Sequence, residues 1–176
     1  MMVVADAGPL IALAKVDRLP LLTALYQQIV TGPTVFTETV TAGLAMNAAD
    51  AIILEQAYSE GVLNVRYPAS GSLPQSGLLH AGEAESILLA IELNADWLLV
   101  DDLDARRLAR QNIEKVNLKI GVKGTLGVIV TAAQAGLITT AQGIESIQAM
   151  ENHPDIWLAP ALCEVVVKIL KRLSSE

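Results

Sequence analysis

Residues 3–11 read Val3-Val4-Ala5-Asp6-Ala7-Gly8-Pro9-Leu10-Ile11, and this stretch decides the fold class. Its first part, Val3 to Asp6, is short and apolar, which predicts a buried strand. Gly8-Pro9 ends that strand, and Pro9 suits the first position of a helix that continues through Leu10 and Ile11. A buried strand that turns at once into a helix is typical of parallel βαβ units.

The same alternation of strands and helices continues along the chain. It predicts an α/β fold, a three-layer α/β/α sandwich with a mainly parallel central sheet. We expect residues 1–176 to form a single domain, with 138–176 as a helical C-terminal extension that packs on it. The further predicted strands cover 28–30, 62–67, 97–100 and 116–120; the helices cover 19–26, 34–44, 48–61, 82–94, 104–111, a segment ending near 136, 141–150 and 161–173; a turn-rich stretch covers 68–77.

The composition describes a folded protein of the cell interior. The chain has 176 residues, of which 52% are hydrophobic and 18% charged, and this balance excludes disorder. Its single cysteine, Cys163, cannot form an internal disulfide, and His80 and His153 stand too far apart for a Cys/His zinc site, so we interpret all three as structural or surface residues. No leader pattern or membrane-length apolar run is present, which predicts a cytoplasmic protein with no membrane partner.

Acidic residues stand at the predicted strand ends and at the starts of nearby helices. Parallel sheets form their sites at the carboxyl ends of strands, so these side chains are expected to meet. No cysteine, histidine or serine accompanies them in a catalytic pattern. Mg²⁺ and Mn²⁺ relieve the repulsion within such a carboxylate cluster, and their most frequent chemistry there is phosphodiester hydrolysis. The candidates are Asp6, Glu38, Glu83, Glu85, Asp101 and Asp102.

Each acid also has a structural explanation. Asp6 suits an Asx turn before Gly-Pro, and Asp102 suits the cap of the next helix, where it faces Arg106 at i+4. Glu83 and Glu85 favour the positive end of a helix dipole, and Glu38 fits a solvated helix face. The significance lies in the set of acids rather than in any single member.

The helix at 82–94 leaves the choice between its two acids open. Its apolar positions at i, i+3, i+4 and i+7 predict a buried stripe. At about 100° per residue, Glu83 and Glu85 lie at opposite flanks of that stripe. The pattern alone does not choose between them. The stripe consists of Ala84, Ile87, Leu88 and Ile91.

Half of the basic residues fall in one segment. Residues 106–123 hold six of the 12 Lys and Arg, which indicates either a solvated helix face or a local contact with phosphates. Gly121, Gly124 and Gly127 do not have the spacing of a P-loop and indicate a tight entry from strand to helix, where Thr125 places a hydroxyl near the site. The six are Arg106, Arg107, Arg110, Lys115, Lys119 and Lys123.

Four of these segments, in this order, resemble the acidic motifs of PIN-domain proteins. The residues around Asp6 look like the first motif, and Val35-Phe36-Thr37-Glu38-Thr39-Val40 looks like the second. Gly82-Glu83-Ala84-Glu85-Ser86 is similar to the third, and Leu98-Leu99-Val100-Asp101-Asp102 to the fourth. Gly124-Thr125-Leu126-Gly127-Val128 further resembles a signature of one bacterial and archaeal PIN subfamily.

The resemblance implies a metal-dependent ribonuclease, in the manner of VapC-type toxins that pair with an antitoxin protein. It implies Mg²⁺ or Mn²⁺ as cofactor, RNA as substrate and a homodimer. Carried over to this chain, the catalytic residues are Asp6, Glu38, Glu85 and Asp102; the metal ligands are Asp6, Glu38, Glu83, Glu85, Asp101 and Asp102; and the nucleic-acid-binding residues are Arg106, Arg107, Arg110 and Thr125.

The alternative is a non-catalytic PIN domain that binds nucleic acid or a protein and acts as a regulator. The net charge of −7 first argues against nucleic acid as a partner. However, setting aside the six candidate acids leaves 13 acidic residues against 12 basic ones. The acid excess is therefore concentrated at the predicted metal site, where bound cations would offset it.

Overall fold

The structure is a computed structural model that describes residues 1–69 and 79–173. Within these ranges, five parallel strands form one sheet: β1 (Met2–Ala5), β2 (Gln28–Thr31), β3 (Leu63–Val65), β4 (Trp97–Leu99) and β5 (Gly121–Lys123). Their order in the sheet is β3-β2-β1-β4-β5, so that the first strand lies at the centre. All four pairings are parallel.

Helices connect the strands and extend beyond the last of them. A π-helical segment, Thr37–Ala42, joins the third and fourth helices. The helices are α1 (Ala7–Lys15), α2 (Pro20–Leu25), α3 (Pro33–Phe36), α4 (Gly43–Ala45), α5 (Ala49–Ser59), α6 (Ala81–Glu92), α7 (Leu103–Lys115), α8 (Thr125–Gln134), α9 (Thr140–Asn152) and α10 (Pro160–Leu173).

The strands are apolar on both faces, because helices cover both sides of the sheet. Successive strand residues point to opposite faces. Val3 and Ala5 of β1 pack into one apolar cluster with residues of α1, α5 and α8. Val4 packs into a second cluster with residues of α6 and α7. These two clusters on either side of a parallel sheet confirm the predicted α/β/α sandwich.

The terminal helices extend the first cluster. Ile147 and Met150 of α9 and Leu170 of α10 are fully buried in it. Gly143 allows the close approach of α9 to its neighbours, since a Cβ there would lie 3.1 Å from a methyl carbon of Leu170. None of the helices in the described part of the chain is long and apolar enough to cross a membrane.

The last strand lies further along the chain than predicted. The strand expected at 116–120 is wrong, because α7 continues to Lys115 and Asn117 then takes a left-handed conformation with φ of 55°. Asn tolerates this conformation at a helix end. Ile120 is buried from a loop, and β5 begins only at Gly121, where a Cβ would overlap the indole ring of Trp97.

Two smaller predictions also change. Helix α1 begins at Ala7, so Pro9 is its third residue rather than its first. Proline is tolerated there because the first N–H groups of a helix have no intrahelical acceptor. The turn-rich stretch predicted at 68–77 lies mostly outside the described residues.

Helix α6 is rotated relative to the predicted stripe. Of the four expected positions only Ile87 is fully buried, and Ala84, Leu88 and Ile91 are partly exposed. The buried face of the helix includes the polar Ser86, whose hydroxyl contacts Asp6 just after β1. The residues it buries are Gly82, Ser86, Ile87, Leu89 and Ala90.

Candidate active site

Asp6 follows the central strand at the point where the sheet topology changes direction. β1 pairs with β2 on one side and with β4 on the other, and the chain continues outward to β3 and to β5. In open parallel sheets, ligands bind in the crevice outside the carboxyl ends of the strands at such a point. The backbone N–H of Asp6 donates to the carbonyl of Leu99 at 3.0 Å, which fixes Asp6 beside the end of β4.

The carboxyl group of Asp6 is buried among other acids and is weakly bonded. Only 7% of the residue is exposed, and the Ser86 hydroxyl donates to Asp6 Oδ1 at 3.4 Å. Burial raises the pKa of Asp6 to about 7, against the opposing effect of a hydrogen bond from the backbone of Ala7. The charges of three neighbouring carboxylates contribute to this rise: Glu83, Glu38 and Asp101.

Glu38 reaches the same place from the π-helical segment. Such wide helical turns are rare and are often found at functional sites. The Glu38 carboxylate lies over Gly82, where a Cβ would be 3.0 Å from Oε2. Partial burial raises the pKa of Glu38, His80 lowers it, and the charges of Glu83 and Glu85 raise it again. Gly82 therefore leaves space for the Glu38 carboxylate, whose charge interacts with those of Glu83 and Glu85 on α6.

The two acids of α6 point to different places. Glu83 faces the crevice, and its Oε2 accepts a hydrogen bond from the backbone N–H of His80 at 2.9 Å, which closes the first turn of α6. Glu85 instead accepts from the backbone N–H of Thr34 at 2.8 Å, at the start of α3. It packs so closely over Gly32 that a Cβ there would overlap its carboxylate. The structure thus places Glu83 in the crevice and makes Glu85 a cap of α3, although the sequence prediction gave Glu85 the catalytic role.

Asp101 is held by two hydrogen bonds from Thr125. The Thr125 backbone N–H donates to Asp101 Oδ1 at 2.7 Å and its hydroxyl donates to Oδ2 at 2.5 Å. Gly124 allows this approach, since a Cβ there would lie 2.5 Å from Oδ1. Burial raises the pKa of Asp101, whereas the two bonds from Thr125 and the charge of Arg106 lower it.

Thr125 therefore has a different position from the one expected. The sequence predicts it as a nucleic-acid contact, but the residue is fully buried and cannot touch a substrate. Its hydroxyl does lie at the site, as the glycine-rich entry to α8 indicated. Thr125 positions Asp101, and the prediction of direct contact is corrected.

Asp102 lies at the exposed rim and caps a helix. Its Oδ1 accepts a hydrogen bond from the backbone N–H of Ala105 at 2.8 Å, at the start of α7. This confirms the capping role that was the structural alternative for Asp102. Its other carboxylate oxygen has no hydrogen bond within the described residues, and the residue is exposed, so it is available for a further contact.

These residues enclose a depression at the carboxyl edge of the sheet, with a volume of about 410 Å³. Five of the six predicted acids line it, the exposed Asp102 among them, and Glu85 is not part of the lining. His80, at the N-cap of α6, lines it as well. Its lining consists of Asp6, Ala7, Gly8, Glu38, His80, Glu83, Asp101 and Asp102.

The chemistry of the donors fits a hard divalent cation. Among the described residues, no three carboxylate, imidazole or thiol groups stand close enough together to enclose an ion as the side chains lie. Mg²⁺ does not require such a cage, because it keeps several waters and binds through one or two carboxylates. No cationic side chain of the described residues lowers the raised pKa of the buried Asp6, and a bound cation would do so.

The three predicted nucleic-acid-binding arginines occupy different surroundings. Arg107 is exposed and its Nη2 forms an ion pair with Asp104 at 2.9 Å. Arg110 is exposed one turn beyond Arg106. Arg106 is half-buried and close enough to Asp101 for its charge to lower the pKa of that acid. Only Arg106 of the three is thereby linked to the acidic depression.

Sequence reasoning missed three residues of the site. The Ser86 hydroxyl contacts Asp6, and Gly82 leaves space for Glu38. His80 lines the depression, although it was interpreted as a structural or surface residue. A signal for Ser86 was present, because it stands one helical turn after Glu83 and so shares its face. The positions of His80 and Gly82 depend on the rotation of α6, which the apolar pattern misjudged.

Comparison with known proteins identifies a family. The sequence matches the model of the DUF3368 family, a PIN domain, over residues 2–172. None of the curated proteins matches the chain. A solved structure with some similarity is a domain of a functionally unknown protein from Methanocaldococcus jannaschii DSM 2661, with 21% identity and a TM-score of 0.42 over 69% of this chain and 89% of that one.

Proposed function

Since the chain belongs to the PIN-domain family, which has a nuclease-type fold, we propose that it is a Mg²⁺- or Mn²⁺-dependent endoribonuclease that hydrolyses RNA phosphodiester bonds. The observation that carries this proposal is the buried Asp6 carboxyl, with its pKa raised to about 7, beside three further carboxylates at the switch point of the sheet. Strongly perturbed acids in a crevice favour a functional site over a structural one.

The acids facing the crevice are the proposed ligands. Asp6, Asp101, Glu38 and Glu83 would hold the cation, and Asp102 also lines the depression. A divalent cation bound here would lower the pKa of a water molecule and withdraw charge from the scissile phosphate. Glu85 is kept out of this proposed set because its carboxylate caps α3.

The chain's own contacts prepare this arrangement. Thr125 orients both oxygens of Asp101, and the backbone of His80 orients Glu83. The Ser86 hydroxyl donates to Oδ1 of Asp6 at 3.4 Å, and the backbone of Ala7 also donates to this carboxyl. Carboxylates that are oriented before substrate arrives need little reorganisation when the charge on the phosphate develops.

The proposals on substrate, location and partners rest on the resemblance to VapC-type proteins. We propose RNA as the substrate, a cytoplasmic location, a homodimer and a role as the toxin of a toxin–antitoxin pair, because the acidic motifs resemble those of VapC-type proteins. The apolar residues exposed on α10, Leu162, Val165 and Ile169, support an interface with a second copy.

A non-catalytic regulator that binds nucleic acid or protein is the second candidate. One observation favours it: several acids already have structural tasks, since Asp102 caps α7, Glu85 caps α3 and Glu83 closes the first turn of α6. Calorimetric titration with Mn²⁺, with and without RNA, separates the two candidates. A protein that binds no Mn²⁺ at millimolar concentration but binds RNA would support the regulator.

The decisive experiment measures cleavage of a labelled single-stranded RNA in Mg²⁺ or Mn²⁺ and in EDTA. We expect cleavage by the wild type that EDTA abolishes, and a loss of about 10²-fold or more in Asp6→Asn, as for the removal of other essential charge-stabilising groups. Asp17→Asn is the matched control, because Asp17 is exposed and has φ of 55°, a conformation that Asn also adopts. Full activity of Asp6→Asn would refute the proposed mechanism.

A further inference from the structure

We propose that Arg106 binds a phosphate group of the substrate at the edge of the acidic depression, and that Arg107 and Arg110 do not share this role. The inference rests on the proposed function for the identity of the ligand, a single-stranded RNA. The arrangement of Arg106 itself carries the assignment of the residue.

Arg106 lies one helical turn after the acidic pair at the end of β4. Its backbone N–H donates to the carbonyl of Asp102 at 3.0 Å, in the first turn of α7. Asp102 lines the depression, and residues four apart lie on the same face of a helix. Arg106 therefore lies on the same face of α7 as Asp102, next to the residues that line the depression.

The guanidinium of Arg106 lacks partners among the residues that the structure describes. Its Nε atom is buried and has no hydrogen bond there, and the described ion pairs do not include it. Burying part of a charged group without a partner is unfavourable. An unpaired guanidinium next to a crevice is suited to bind an anionic ligand.

The charges of Asp101 and Arg106 interact, yet no ion pair joins the two side chains. Both of its carboxylate oxygens accept hydrogen bonds from Thr125. Arg106 acts on Asp101 only through its charge, which lowers the pKa of that acid. The two terminal nitrogens of the guanidinium, which unlike Nε are not buried, thus stay available, while the acid beside it is already oriented.

The other basic residues of α7 differ in these respects. Arg107 is exposed and paired with Asp104, and Arg110 is exposed one turn further from the acids. A solvated arginine with a surface ion pair contributes little to a specific contact. This contrast separates one phosphate-binding residue from a generally basic helix face.

The chemistry of the ligand follows from the guanidinium. Its planar fork matches two oxygens of a phosphate group, and its charge opposes the repulsion that a phosphodiester meets beside four carboxylates. Divalent cations reduce that repulsion only where they bind. Arg106 would hold the RNA backbone next to them, so it is a binding residue and not part of the proposed metal site.

The test measures binding separately from cleavage. Fluorescence anisotropy with a labelled single-stranded RNA is performed in Mg²⁺ on an Asp6→Asn background, in which the RNA stays intact. Arg106→Gln is compared with Arg107→Gln and with Arg172→Gln, which removes the same charge from exposed Arg172 on α10. We expect Arg106→Gln to weaken binding about 10- to 100-fold and to reduce the salt dependence by about one phosphate contact. The other two variants should stay within about twofold of the background, as expected for exposed charges.

Each outcome bears on one proposal. A change below twofold in Arg106→Gln, an equal loss in all three variants, or no RNA binding by the background protein would overturn the role of Arg106. If Arg106→Gln does not fold, Arg106→Lys decides, because it keeps the charge but loses the fork and should bind more weakly than the background. The proposed ribonuclease activity fails independently, if the wild type does not cleave RNA with Mg²⁺ or Mn²⁺.

Discussion

The neighbouring strands β1 and β4 are each followed by an aspartate, the buried Asp6 and the partly buried Asp101, whose hydrogen bonds differ. Asp101, after β4, receives two short hydrogen bonds from Thr125, at 2.5 and 2.7 Å. Asp6, after β1, receives a single long one from a side chain, at 3.4 Å from Ser86. One aspartate is held in place, and the other is left short of partners.

The difference in hydrogen bonding indicates that the fold is less well stabilised at Asp6 than at Asp101, as is expected where a site binds a ligand. Burial raises the pKa of both acids, but Thr125 and the charge of Arg106 oppose the shift at Asp101. At Asp6 the backbone of Ala7 opposes the shift, but the charges of the surrounding carboxylates add to the effect of burial. Groups that a structure leaves unsatisfied in this way are typical of sites that bind something.

The largest expected effect is on the stability of the metal-free protein. The pKa of Asp6 is raised from 3.8 to about 7, so the folded chain binds more protons than the unfolded one between about pH 4 and pH 7. Stability therefore falls as the pH rises through that window. Asp6→Asn should remove the penalty, which is at most about 4 kcal/mol at 1.36 kcal/mol per pKa unit.

Thermal unfolding in EDTA at pH 5 and pH 8 measures this effect. Asp6→Asn should raise the melting temperature at pH 8 more than at pH 5, and Asp17→Asn should not. An Asp6→Asn protein that is less stable than the wild type at pH 8 would contradict the view of Asp6 as an unsatisfied acid.

The next effect distinguishes the two acids of α6. Glu83→Gln should reduce RNA cleavage by about 10- to 100-fold, since it removes a charge that faces the depression. Glu85→Gln should have little effect on cleavage, because a glutamine oxygen still accepts the hydrogen bond from Thr34. Initial rates under identical metal concentrations compare the two variants. The opposite ranking would restore Glu85 to the catalytic role that the sequence suggested.

The support of Asp101 is tested at Thr125. Thr125→Val removes the hydroxyl that donates to Oδ2 and leaves a buried carboxylate oxygen without a partner. The expected loss of stability is about 2 kcal/mol, within the range for hydrogen bonds to charged groups. Thr125→Ser keeps the hydroxyl and is the matched control in denaturant unfolding. Equal stability of the two variants would mean that Asp101 does not depend on this bond.

The sequence predicted the architecture because it follows from local patterns. Val3 to Asp6 is an apolar strand that runs into Gly8-Pro9, and this fixes a βαβ unit without knowledge of any partner. The acids after β1 and β4 were predicted to meet for the same reason, since parallel strands align their carboxyl ends. These inferences need only the direction of the chain and the period of its apolar residues.

The details that failed depend on tertiary contacts. Helix α6 buries Ser86 together with Ile87, Leu89 and Ala90, and a polar residue on a buried face is invisible to an apolar pattern. The prediction of a strand at 116–120 failed because apolar residues there, such as Ile120, are buried although they belong to a loop. The roles of Thr125 and Glu85 also depend on partners far along the chain, Asp101 and Thr34.

The smallest expected effect concerns the space beside Glu38. Gly82→Ala places a Cβ 3.0 Å from Glu38 Oε2, so the carboxylate must shift by a few tenths of an ångström. Alanine is favoured over glycine within a helix by up to about 1 kcal/mol, so the variant should be as stable as the wild type or slightly more so. RNA cleavage should nevertheless fall several-fold, because positioning errors at a reacting centre slow the chemistry. Thermal unfolding and initial cleavage rates on the same preparation separate the two effects. Unchanged cleavage would show that Glu38 can move without consequence and so does not belong beside Asp6 and Asp101 in the site.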